Sequence, residues 1–339
     1  MDYLENMWSK GKDFLGVKTP IIAGAMTWIS DSRFVADVSN AGAFGCLAAG
    51  NMDPSMLDEE IKKTQEYTKN PFAVNLITIA PNYKDHLEVA VENGVPYIVF
   101  AGSFPRQPEI KKAKSSGVKV LSFASTESMA KRLIDMGVDA LILEGSEAGG
   151  HVGHVSLGIL LQQVLFKVDE VPIFVAGGIA SGKYIAHLLL MGAAGIQMGT
   201  YFVLTEECRA HPKFKQSFIR AKARNAISTP QIGSELKIVA VRALKNKGHD
   251  EFSNLQMDLI QKRRKNEITQ AEAQFQVEIF WMGALRKAVQ DGDVDFGSVM
   301  AGQSVGLMDK IRPLKEALHS LIEEADLELN RIRKKCQDI

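Results

Sequence analysis

Eight short apolar runs punctuate this 339-residue chain up to residue 202, each of strand length and each followed by small or polar residues and then a helical pattern. They are TPIIAGAM (19–26), GAFGCLAAG (42–50), PFAVNLI (71–77), YIVFAGS (97–103), KVLSFAS (119–125), ALILEGSEAGG (140–150), VPIFVAGGIA (171–180) and GIQMGTYF (195–202). Continuous apolarity, in place of alternation, is expected of strands covered on both faces, as in a parallel sheet. The segments between them are amphipathic: in STESMAKRLIDMG, Met129, Leu133 and Met136 fall at i, i+4 and i+7 and form one stripe. Eight βα units in succession predict an α/β protein, a (β/α)8 TIM barrel. The rival, a doubly wound open sheet, opens with G-x-G-x-x-G after its first strand, and PIIAGAMTW has no such turn.

Beyond the eighth run the periodicity breaks. The chain divides into a barrel over 1–204, a mostly helical insertion over 205–300 lying over the barrel mouth, and a return segment with a C-terminal helix over 301–339. Phe214, Phe218, Phe280 and Trp281 are the expected apolar centre of the insertion. Lys plus Arg (40) balances Asp plus Glu (40), so nothing in the charge draws the chain to nucleic acid or an anionic membrane. Cys46, Cys208 and Cys336 are too far apart and too few for a disulfide framework, which suits a reducing compartment. The polar start MDYLENMWSKGKDF is unlike a signal peptide, and the apolar runs are too short to span a bilayer. A cytoplasmic protein is expected.

In barrels of this type the chemistry sits at the C-terminal ends of the strands. Those ends read Gly24-Ala25-Met26, Asn75, Gly102-Ser103, Ser122, Glu144 to His151, Gly177-Gly178 and Gly199-Thr200. Small residues along one rim imply that something large and flat approaches the backbone. The endings VAGGIASG and QMGTYF follow strands seven and eight, where backbone amides often form a phosphate site. Gly177, Gly178, Gly199 and Thr200 are the candidates, Thr200 adding a hydroxyl. A phosphate there and small residues across the mouth suit flavin mononucleotide, with Asn75 and the backbone of Ala25 and Met26 at its pyrimidine edge. A sugar-phosphate substrate would use the same phosphate site.

The stretch EGSEAGGHVGH carries the remaining chemistry. Gly145, Gly149 and Gly150 permit a tight loop that delivers His151 to the mouth, as general acid or base or as a hydrogen-bond partner of a substrate oxygen. The alternative is a histidine that ties the loop down. Glu147 is expected to cap loop amides. His151 and His154 lack a third ligand at a matching spacing, so no metal site is read here. His211, ahead of Pro212, is expected to orient the insertion.

PIIAGAMTW, PFAVNL, EGSEAGGHVG, PIFVAGGIASG, QMGTYF and MAGQSVGLM, in order from about residue 15 to 310, resemble the nitronate monooxygenase family, formerly 2-nitropropane dioxygenases. That family includes the FMN-dependent enoyl-acyl-carrier-protein reductases. The resemblance implies an FMN-bearing TIM barrel with His151 at its catalytic centre. It implies FMN contacts at Gly24, Ala25, Met26, Asn75, Gly177, Gly178, Gln197, Gly199 and Thr200, with Gly149 and Gly150 beside the flavin. Many relatives read G-G-M where this chain has Gly24-Ala25-Met26; the extra methyl fits if Ala25 keeps φ negative. Two activities follow from the resemblance: oxidation of alkyl nitronates with O2, taken first, or reduction of an enoyl thioester with NAD(P)H as co-substrate. The substrate is a small molecule in both, a nitronate or an acyl thioester, and acyl carrier protein is a partner only in the second. A non-catalytic flavin- or phosphate-binding module is a third reading. A homodimer and a need for a monovalent cation are left open.

Overall fold

The computed structural model describes residues 3–233 and 235–337. Its strands are β1 (Ile21–Ala23), β2 (Phe44–Ala48), β3 (Phe72–Ile77), β4 (Tyr97–Ala101), β5 (Lys119–Phe123), β6 (Ala140–Glu144), β7 (Gly150–Val152), β8 (Ile173–Ala176), β9 (Gly195–Met198), β10 (Ala226–Ser228) and β11 (Ala240–Leu244). Eight of these, all but β7, β10 and β11, close a parallel barrel in chain order. Closure is made by β9 beside β1, with Ile22 opposite Gln197. All eight apolar runs are therefore barrel strands, shorter than the runs because the flanking residues turn into the helices.

Two apolar layers account for the continuous hydrophobicity of the strands. One face of each strand packs outward on the surrounding helices; Ile21, Val74, Ile98, Leu141 and Val175 belong to that layer. The other face fills the barrel with Ile22, Phe44, Cys46, Ala73, Tyr97, Val99, Leu121, Ala140, Ile142, Phe174 and Ala176. Residues two apart share a face. The helices start at side-chain caps: Asp31 accepts from the Phe34 amide, Asp53 from Met56 and Thr126 from Met129.

The bottom of the barrel is plugged by the helix Ser9–Leu15. Leu15 is fully buried, and the carbonyl of Phe14 accepts from the Tyr97 hydroxyl at 2.6 Å and from Lys119 Nζ at 2.8 Å. That helix closes the lower end of the barrel among the described residues.

Residues between β9 and the return segment form the helices Pro212–Arg220, Lys247–Arg264 and Gln270–Arg286, and also β10 and β11. The two strands pair with β7 in a three-stranded antiparallel sheet, order β10-β11-β7. The region thus holds strand as well as helix, and it takes the EGSEAGGHVGH segment into its sheet. Phe280 and Trp281 pack with Phe252, ring centroids 4.3–5.5 Å apart, in a core of their own. Phe214 and Phe218 do not join them. Both lie in the barrel's outer layer, because the helix Pro212–Arg220 follows β9 closely and meets the barrel before the chain leaves it. His211 accepts from the Lys213 amide at the start of that helix, and its own amide donates to Val289 O at 2.8 Å. The long helix Leu314–Gln337 packs on Gly182–Leu190. Among the described residues no helix is long and apolar enough to cross a membrane.

Candidate active site

The interior alternation, continued upward from the packed layer, places the site. Above Ile22, Cys46, Ala73 and Ile142 come Gly24, Ala48, Asn75 and Glu144, and Gln197 joins them from β9. A Cβ on Gly24 would lie 3.1 Å from the Gln197 side chain, so that pair is in contact. Asn75 and Gln197 are 7% and 8% exposed, and neither amide side chain has a hydrogen-bond partner among the described residues. Their polar atoms are not fully enclosed, so both amides are open to hydrogen-bond a ligand at the mouth. Glu144 is equally without a partner, and burial pushes its carboxyl up to about 8.

At the ends of β8 and β9 the chain turns tightly. Gly177 and Gly178 have φ of +97° and +72°, and a Cβ on Gly177 would sit 2.9 Å from the Gly145 carbonyl oxygen. Only glycine fits there. Gly199 follows β9 with Met26 against it. Thr200 Oγ1 accepts from the Gly302 amide at 2.9 Å, which leaves its proton free to donate to a ligand. Ala25 keeps φ negative, so its methyl is accommodated as required. Met26 differs from expectation. Its amide donates to Ser30 Oγ and its carbonyl accepts from the Ile29 and Ser30 amides, so its backbone serves the turn that follows β1. The Ala25 amide is engaged as well, hydrogen-bonded to the Cys46 thiol.

The segment after β6 is held at many points. The Glu147 carboxylate accepts from the Leu157 amide at 3.0 Å, capping as expected, and its carbonyl accepts from Gln303. Arg242 Nε donates to Ser146 O at 2.9 Å. A Cβ on Gly149 would fall 2.6 Å from the Ala301 carbonyl carbon and the Gly302 amide, so the return segment Met300–Gln303 wedges between Thr200 and this strand. That contact, more than loop freedom, is what requires glycine at 149. His151 is in β7, opposite Val241, with a half-exposed side chain. His154 is exposed two residues past the strand. Among the described residues no cluster of His, Cys, Asp and Glu could hold a metal.

Three residues that sequence reading did not single out complete the mouth. Glu278 Oε1 stands 3.4 Å from His151 Nε2. Trp28, just after β1, donates from Nε1 to Met282 O at 3.0 Å, and Arg286 lies over its ring at 5.6 Å. Glu278, Met282 and Arg286 recur at i, i+4 and i+8, so one face of the helix Gln270–Arg286 runs from the loop after β6 to the loop after β1. Trp28 has φ of +67°, a conformation costly for a side-chain-bearing residue and often found at functional sites. No local pattern points to these residues, since the contacts join segments more than a hundred positions apart.

A closed (β/α)8 barrel, plugged below, with unpartnered amides at its mouth and positive-φ glycines after β8, has the architecture of a barrel enzyme with its site at the strands' C-terminal ends. The family model for nitronate monooxygenase matches residues 9–324, and the chain belongs to that family. It is a flavin-type oxidoreductase. Among relatives it is 28% identical to the (3aS,4S,5R,7aS)-5-hydroxy-7a-methyl-1-oxo-octahydro-1H-indene-4-carboxyl-CoA dehydrogenase of Rhodococcus jostii, over 92% of this chain and 94% of that one. The structure of FabK from Thermotoga maritima superposes with a TM-score of 0.83 at 32% identity, covering 96% of this chain and 98% of the other. Nitroalkane oxidase from Streptomyces ansochromogenes gives 0.79 at 25% identity, over 95% and 99%.

Proposed function

We propose that the protein is an FMN-dependent oxidoreductase of the nitronate monooxygenase type, oxidising alkyl nitronates with O2. The observation that carries the cofactor is the pair of unpartnered amides at Asn75 and Gln197 at the mouth, Gln197 set against Gly24 and neither fully enclosed. A flat heterocycle edged with donors and acceptors satisfies both. Its phosphate would lie at Gly177, Gly178, Gly199 and Thr200, where the Thr200 hydroxyl has a proton to give. When bound, FMN supplies the capacity to take up and pass on an electron pair. The chain's own residues do the rest. His151 holds or moves a proton at the substrate, a contribution of about 10²–10⁴-fold where geometry is good. The helix Gln270–Arg286 covers the mouth and limits the access of water.

One observation favours a second reading, NAD(P)H-dependent reduction of an acyl thioester. Phe275 and Ile279, on either side of Glu278, are 45% and 48% exposed, an apolar surface larger than a short alkyl nitronate needs. The relatives agree in part: one is named for a carboxyl-CoA substrate, and FabK is an enoyl-acyl-carrier-protein reductase. Anaerobic mixing of the yellow protein with NADH, NADPH, an alkyl nitronate or a crotonyl thioester separates the two. Rapid bleaching by the nitronate alone is expected; bleaching by a nicotinamide, reversed by the thioester, establishes the reductase. A colourless protein that FMN cannot reconstitute refutes both.

A further inference from the structure

The contact between His151 and Glu278 gives the mouth helix a chemical task beyond coverage. We infer that Glu278 is the positioning residue of His151: it holds the Nε2 side of the imidazole so that Nδ1 is presented to the substrate. This rests on the reading of His151 as the proton-handling group.

The geometry has three parts. β7 is held on one edge by β11, with Val152 opposite Ala240, His151 opposite Val241 and Gly150 opposite Arg242, so the backbone of His151 cannot swing. Alternation then sends Val152 to a small apolar cluster with Ala148 and Ala240, and sends His151 to the opposite face, the face of Val241 and the insertion core. On that face the carboxylate of Glu278 meets Nε2 at 3.4 Å.

The other charged groups near the segment are already engaged. The Glu147 carboxylate takes the Leu157 amide, and Arg242 donates to Ser146 O and Ala226 O. Glu278 is therefore the carboxylate, among the described residues, within ion-pair distance of His151. A carboxylate at Nε2 selects the tautomer with the proton on that nitrogen and leaves the Nδ1 lone pair for a reacting proton. When Nδ1 takes a proton from the substrate carbon, the imidazolium that results stays paired with the Glu278 carboxylate. Delivery in the reverse direction returns the ring to neutral. No other reactant is needed for that proton to move. The same contact makes the helix a sensor of its own placement, because a helix displaced from the mouth withdraws Glu278 from the ring.

The test compares Glu278→Gln and Glu278→Ala in the FMN-loaded protein, with the imidazole nitrogens of histidine labelled. Glu278→Ala is expected to lower kcat by about 10- to 100-fold, as loss of orientation does, with KM nearly unchanged and FMN content intact. Glu278→Gln, which keeps an oxygen beside Nε2, is expected to recover most of the loss. The nitrogen resonances of His151 should report one tautomer in the parent and in Glu278→Gln, and a mixture in Glu278→Ala. In a His151→Ala background, Glu278→Ala should cost nothing further. Parent-like kcat and an unchanged tautomer in Glu278→Ala overturn the inference. If His151→Ala itself keeps full turnover, the reading of His151 fails separately, and the tautomer measurement still decides whether Glu278 positions the ring.

Discussion

Adding a single methyl group at position 149 tests the packing that locks the His151 strand to the return segment. A Cβ there would stand 2.6 Å from both the Ala301 carbonyl carbon and the Gly302 amide nitrogen, 0.8 Å inside the 3.4 Å at which ordinary contact begins. Both obstacles are backbone, so no side chain can rotate away. Overpacking of this kind costs about 1–3 kcal/mol. For a chain of 339 residues the unfolding entropy near 60 °C is about 0.7 kcal/mol per kelvin, so Gly149→Ala should lower Tm by about 1.5–4 °C. The neighbours calibrate the result. Gly150, with φ of +76° and no neighbour nearer its Cβ position than Met300 Sδ at 3.8 Å, should cost roughly 1 kcal/mol as alanine from backbone strain alone. Gly153, with nothing within 4 Å of its Cβ position, should cost almost nothing. The assay is thermal unfolding followed by flavin fluorescence and by circular dichroism, with turnover measured below the transition. Since Gly302 also bonds Thr200, Gly149→Ala should loosen FMN as well as slow the reaction. Gly149→Ala and Gly153→Ala melting together, within about a degree, would refute the wedge between the strand and Ala301–Gly302.

Further outcomes follow from the same site. Burial raises the folded-state carboxyl of Glu144 from 4.5 to about 8, so its contribution to stability is fully present below pH 4.5 and lost as pH rises toward 8; the flavin-free protein should therefore lose Tm from pH 5 to pH 8 relative to Glu144→Gln, and parallel pH curves would contradict this. Thr200→Val removes a hydroxyl that accepts from Gly302 and has a proton to spare, and should weaken FMN retention about tenfold, read by dialysis and absorbance. His151→Ala should keep the flavin spectrum and lose about 10²–10⁴ in turnover while His154→Ala is nearly silent; equal losses would mean that His151 only holds its strand. Trp28→Phe, lacking the bond to Met282 O, should leave the barrel intact and speed proteolytic cleavage within the insertion; an unchanged digest would show that bond to be incidental.

The barrel was legible because its strands are buried on both faces, and a run such as YIVFAGS has no other economical use than an interior strand. The glycine pair after β8 was readable for a different reason: at φ of +97° and +72°, Gly177 and Gly178 have few substitutes. The small sheet was not legible. GHV and AIS are three residues long and the first begins with glycine, so neither has a periodicity to detect, and what orders them is pairing with β11 some ninety residues after β7. Glu278 and Trp28 escaped for a related reason. An acid on a long helix reads as solvated until the fold shows what faces it. Met26, placed at the rim by its neighbours, turned out to spend its backbone on Ser30, a local competition that residue type alone does not reveal.

The pairing of β7 with β11 also bears on how such enzymes can be recombined. The strand bearing His151 belongs to the barrel in sequence, yet half of its hydrogen-bonding edge is supplied by a segment inserted after the last barrel strand. A chimera that exchanges the insertion for that of a relative would also exchange the edge on which His151 is set. Swaps meant to alter substrate preference should therefore carry residues 145–156 and 226–244 as one cassette. A graft that splits them would inherit the new parent's mouth with the old parent's histidine out of register.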